Sequence, residues 1–227
     1  MMDSNAIKGG NPREVEQGKM KNLLRYIEQG EGETIDFKKE ITSVNKIAKS
    51  IVSFANHKGG RLLIGIRDDK AITGIKTEEE KYMLDLAANF YCKPAVPIKL
   101  KEYVVNDKTV IEALVPEGNE KPYYAKGEDD KWWVYVRHND QSVLASKVTV
   151  DVLKRQSKGE QTTIEYSSKE KALLDYLKTH DRITMKDYCK LINISRWRAT
   201  KILVNLISIG VIREHTYEST PFYTLGH

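Results

Sequence analysis

The 227-residue chain is 40% hydrophobic and 30% charged, which supplies enough apolar material for packed cores and excludes a disordered composition. Its formal net charge of +5, with a pI near 8.9, permits a polyanionic partner without demanding one. No apolar run approaches the roughly 18 residues of a membrane span, no N-terminal stretch has the layout of a secretory signal, and the two cysteines, Cys92 and Cys189, fall in different halves of the chain. A membrane protein and a disulfide scaffold are therefore not expected, and a reducing, cytoplasmic setting is.

Met1–Asn11 reads as a polar tail. Pro12 suits the first turn of a helix, which is expected to run to Gln29, with Val15, Leu23, Leu24 and Ile27 on its apolar side and Gly30 as its stop. Thr34–Lys38 alternates as a short strand. Thr42 or Ser43 caps an amphipathic helix in which Val44, Ile47, Ala48, Ile51 and Ala55 face the core and Lys46, Lys49 and Ser53 face away. After Gly59–Gly60, Arg61–Arg67 reads as a buried strand, Asp68–Lys70 as a turn, and Ile72–Ile75 as a short return. Thr77 and Glu80 match a capping box for a helix reaching Tyr91. Ile98–Val105 and Lys108–Val115 read as a hairpin across Asn106–Asp107, Tyr123–Ala125 and Trp132–Arg137 as further strands, and Val148–Gln156 as a closing helix. Residues 12–156 thus form one α/β (α+β) domain with a mixed sheet, and 157–163 form a linker.

Beyond the linker, 164–227 reads helix, helix, helix, strand, strand. Ser167 and Glu170 form a capping box, Thr184–Leu191 is a short second helix, and Ser195 caps a third, whose buried stripe is Ala199, Ile202, Leu203 and Leu206. Gly210 ends that helix, and Val211–Arg213 and Phe222–Thr224 follow as strands. With the stripe fixed, Trp197, Lys201 and Val204 are expected to point outward. From Ser195 to Arg213 there are four cations and no acid, a composition suited to phosphates and to bidentate reading of guanine. The element order, the "NISRWRATKILVNL" helix and the "GVIRE" strand resemble a winged helix-turn-helix. That resemblance implies DNA as the partner, a transcription-regulator role, a homodimer as a common assembly, and Ser195, Arg196, Trp197, Arg198, Thr200 and Lys201 as the DNA-binding residues.

In the first domain, "GEGETIDFKKE", "IAKSIVSFANHKGGRLLIGIRDD" and "ITGI" occur in order, followed by "KPYYAK" and "WWVYVRHNDQSVLAS" with its Arg137. These stretches, spanning roughly 15–150, resemble the Schlafen AlbA-type domain, a family of DNA-binding or divergent ATPase-like modules. Schlafen-type nucleases place an acid, a second acid five residues later before Phe-Lys, and an Asp after the apolar strand. The matching positions here are Glu31, Asp36 and either Asp68 or Asp69, with Asp36 one methylene shorter than the family's Glu. Carboxylates converging at strand ends can hold Mg²⁺ or Mn²⁺ and activate water against RNA or DNA, whereas acids in turns also serve simply as solvated groups. The resemblance therefore implies two alternatives: a nucleic-acid-binding module, or a metal-dependent nuclease with Glu31, Asp36 and Asp68 as catalytic and metal-binding residues. Lys58-Gly59-Gly60-Arg61 is a candidate phosphate site because a glycine pair lets backbone approach an anion, although it also suits a plain turn and lacks P-loop spacing. Trp132, Trp133, Tyr123 and Tyr124 suit either base stacking or cross-strand packing, with packing favoured.

Overall fold

The computed structural model describes residues 12–159 and 166–226; the tail at 1–11, the side chain of Val15 and most of the expected linker lie outside the described residues. In chain order the first unit contains α1 (Pro12–Gln29), β1 (Ile35–Lys38), α2 (Val44–Ala55), β2 (Gly60–Ile64), α3 (Glu79–Phe90), β3 (Cys92–Lys93), β4 (Lys99–Val105), β5 (Lys108–Val115), β6 (Tyr124–Lys126), β7 (Trp132–His138) and β8 (Gln141–Leu144). There follow α4 (Lys147–Ser157), α5 (Ser168–Thr179), β9 (Ile183–Thr184), α6 (Met185–Leu191), α7 (Arg196–Ser208), β10 (Ile212–His215) and β11 (Phe222–Leu225).

The first sheet is mixed, in the order β1-β2-β5-β4: β1 and β2 are parallel, joined through α2, and the other pairs are antiparallel. Asn106 and Asp107 both have positive φ, which a two-residue hairpin between right-twisted strands requires. One face of this sheet packs on α1 through Leu23, Ile27, Phe37, Leu63, Tyr103 and Val110. The other packs on α2 and α3 through Ile51, Phe54, Leu62, Leu84 and Ile111. A second, antiparallel sheet, β3-β6-β7-β8, lies on the far side of α2.

That second sheet explains one departure from the helical pattern. Ser53, expected to face away from the core, is fully buried; its hydroxyl donates to Ser50 O and bonds to Ser142 of β8. A helix covered on two sides is buried around most of its circumference. Other local expectations shift as well. Leu24 is half exposed. Glu78, not Thr77, is the N-cap of α3, with Thr77 Oγ1 accepting from Glu79 N. The return after the Asp68–Lys70 turn is reduced to one bridge between Ile66 and Ile72.

The second group of elements builds a small antiparallel sheet, β10-β11-β9, against α5, α6 and α7. Ser167 and Glu170 form the expected capping box, Thr184 caps α6, and the Ser195 hydroxyl accepts from Arg198 N at the start of α7. The cluster here also includes Val148 and Val152 of α4, packed with Ala199, Val204 and Tyr223. Val204, expected to point outward, is only 8% exposed because α4 lies along that side of α7. Ser146 and Thr149 donate to the Glu214 carboxylate of β10, and Arg155 donates to Asn205, so α4 is tied to both the sheet and the third helix. Among the described residues no helix is long and apolar enough to cross a membrane.

Candidate functional site

β1 turns Asp36 inward toward α2, leaving it 3% exposed. Its Oδ1 lies 2.9 Å from Lys38 Nζ and 3.6 Å from an Arg137 nitrogen, and its Oδ2 accepts from Ser50 at 3.2 Å. Arg137 arrives from β7, stacks over the Phe54 ring at 4.7 Å, and donates to the carbonyls of Gly32 and Ile35. A guanidinium suits this work because its planar fork bonds several oxygens at once. The pair is therefore a buried clasp between the first strand and the second sheet. Glu31 Oε1 accepts from Phe37 N at 2.8 Å. Burial is the largest cause raising its pKa; the Phe37 N–H opposes this, neighbouring Asp36 raises it further, and Lys38 lowers it.

Glu31 and Asp36 are thus neighbours, as the sequence suggested, but Asp68 does not join them. It sits in the exposed turn beyond the end of β2, beside Asp69, whose own partners are Arg67 and Ala71. Among the described residues no group of three His, Cys, Asp or Glu side chains is placed to hold a metal ion. The expected Mg²⁺ or Mn²⁺ centre of Glu31, Asp36 and Asp68 is not assembled, because one carboxylate is engaged by the clasp and another faces solvent.

The glycine pair has a structural cause. Gly59 adopts φ +73°, and a Cβ there would meet Val115 O at 2.7 Å. A Cβ on Gly60 would run into the Phe54 ring. Arg61 is committed to Glu112 at 2.9 Å and lies over the Tyr26 ring at 4.5 Å. Lys58 is exposed, 3.9 Å from Glu33. A cleft of about 530 Å³ does open beside these residues, walled by Pro97, Leu114 and Pro116. It is largely apolar, and its arginine already holds a carboxylate. Glu112 itself escaped the sequence reading: it is a buried acid in the apolar run Val110–Val115, held by Arg61 and by the Tyr103 hydroxyl, which donates to it. A lone acid within an apolar strand was the available signal.

The first turns of α7 present a different surface. Ser195, Arg196, Trp197, Arg198 and Lys201 are exposed and Thr200 is half-buried, its hydroxyl donating to Arg196 O. Trp197 is 65% exposed, and Lys201 Nζ sits 3.9 Å from the centre of its indole ring. Arg196, Arg198 and Lys201 form no ion pair among the described residues. A tryptophan held open by a cation, flanked by two arginines, is an unneutralised cationic tip. Of the four aromatics noted in the first unit, Tyr123 is buried, while Trp132 and Trp133 are part-exposed; Trp133 Nε1 donates to Asp129.

Comparison with known proteins places this geometry in a family. Residues 31–146, more than half of the chain, match the family model Schlafen, AlbA_2. No curated protein matches the chain. Among solved structures, the DIP2311 protein from Corynebacterium diphtheriae is 18% identical over 70% of this chain and 32% of its own length, with a TM-score of 0.46. The chain thus spans about a third of that protein. The N-terminal domain of a RecG-related DNA helicase protein from Nitrosomonas europaea is 19% identical over 64% of this chain and 94% of its own, with a TM-score of 0.40. The clasp residues Asp36 and Arg137, the glycine pair and both sheets of the first unit lie within the matched span, and the chain belongs to the Schlafen AlbA_2 family.

Proposed function

We propose that the chain is a DNA-binding transcriptional regulator whose C-terminal unit is a winged helix-turn-helix, with the Schlafen AlbA_2 unit adding nucleic-acid contacts. The order α5, β9, α6, α7, β10, β11 around a three-stranded antiparallel sheet supports that reading. The observation that carries it is the cationic tip of α7: Arg196, Trp197, Arg198 and Lys201 are exposed, and the three cations form no ion pair among the described residues. In this arrangement the N-terminal end of the third helix meets base edges and phosphates in the major groove. α4 packs along one side of α7, burying Val204 and holding Asn205, so the proposed contact is made by the exposed residues of the first two turns.

The test is a salt series with the full chain and a labelled duplex, read by fluorescence anisotropy. Each phosphate contact contributes a slope of about −0.9 in log affinity against log salt. Replacing both Arg198 and Lys201 by alanine should flatten the slope by up to about two. An unchanged slope would refute the assignment of this face. Duplex RNA should compete poorly, because its major groove is too deep and narrow for a helix tip.

A further inference from the structure

Beside the tip of α7 lies a second cleft, of about 670 Å³, bounded by the start of α4, by α6, by the first turns of α7 and by the loop into β11. Its size falls within the range of small-molecule sites. The wall is apolar at Val148, Met185, Pro221 and Tyr223, and four cations, Lys147, Lys186, Lys190 and Arg196, stand around it. Lys147 is balanced by Asp151 at 3.4 Å. The other three form no ion pair among the described residues. They come from two different helices, so their convergence is set by the fold and not by one basic run.

Among the described residues a single acid, Glu214, lines the cleft. Its carboxylate already accepts three hydroxyl hydrogen bonds: Ser146 and Tyr223 donate to one oxygen and Thr149 to the other. Three hydroxyl donors spread its charge and leave none of the cations claimed by it. What remains is an apolar recess with a surplus of positive charge at its edge. An occupant must pair an apolar body with an anionic head, since a bare anion would leave the recess wet and a neutral molecule would leave the cations unanswered.

We infer that this cleft binds a small organic anion, a carboxylate or phosphate on an apolar skeleton, and that its occupant competes with DNA for Arg196. The competition rests on the DNA-binding reading above; the binding does not. Arg196 lies on the wall of the cleft and in the first turn of α7, so one guanidinium faces both anions.

Anilinonaphthalene sulfonate, an aromatic body with one sulfonate, is a suitable probe. Titrated into the full chain without DNA, it should give saturable fluorescence. The double variant Lys186→Glu, Lys190→Glu, at exposed positions where folding is not at issue, should weaken it about tenfold or more, since charge-assisted contacts are lost and reversed. Met185→Trp, which fills the recess, should weaken it too. Dye binding that both variants leave unaltered would overturn the site. At dye about tenfold above its own Kd, the apparent Kd for duplex DNA should rise about tenfold by mass action. A DNA affinity indifferent to bound dye would overturn the competition. Absence of DNA binding altogether would refute the regulator reading while the dye titration still decided the cleft.

Discussion

Arg137→Ala is expected to cost the first unit about 3 kcal/mol. Removing one partner of a buried ion pair costs about 3–5 kcal/mol, because the remaining charge stays buried without its counter-ion. Here the orphan would be Asp36, and the carbonyls of Gly32 and Ile35 would each lose the Arg137 donor, Ile35 O keeping the Gly32 N–H. Lys38 stays 2.9 Å from Asp36, which argues for the low end of that range. With a urea dependence of about 1–3 kcal/mol per molar, the unfolding midpoint should fall by about 1–3 M. Trp132 and Trp133 report on this unit, and a Trp197→Phe background removes the signal from α7. Replacing both partners with uncharged residues, Asp36→Asn with Arg137→Met, should cost less than the sum of the single changes, since neither buried charge is left alone and Lys38 can turn to solvent. A midpoint shift below about 0.5 M for Arg137→Ala would refute the clasp and free Asp36 for another role.

Two further predictions concern buried positions. Gly60→Ala should destabilise by about 1–3 kcal/mol, because the new methyl meets a Phe54 ring already backed by Arg137; a neutral thermal melt would contradict this packing. Burial pushes the Cys92 thiol up to about 12, so at mild alkaline pH a thiol reagent should modify only the half-buried Cys189 in the native chain. Cys92 should react only once the chain is unfolded in denaturant, and rapid reaction of two thiols before unfolding would disprove its seclusion.

Much of the architecture could be read from the chain because its local signals are strong. Ser43 and Ser195 are N-caps with hydroxyls aimed at the expected N–H groups, and Asn106–Asp107 turns the hairpin as anticipated. Contacts between elements distant in sequence were less visible. Ser53 looked like a solvent position until a second sheet closed over it, and nothing local to 44–55 announces that sheet. β3 and β9 are two residues long, below what alternation can reveal. The surroundings of the acidic pair are hidden for a related reason. Glu31 and Asp36 lie side by side, but Arg137, which claims Asp36, is about a hundred residues downstream. The assignment of α4 to the first unit rested on its position before the linker, whereas its spacing of Val148 and Val152 already marked an apolar stripe in need of a surface.

If α7 reads a duplex as proposed, the placement of α4 also limits how much of it can be read. The exposed residues between Ser195 and Lys201 span about 10 Å along the helix axis. That length spans about three base pairs at 3.4 Å each. So short a word recurs throughout any genome, and one chain acting alone could not single out an address. Selectivity would have to come from repetition, through a second copy spaced along the same duplex or through the preceding unit gripping flanking sequence.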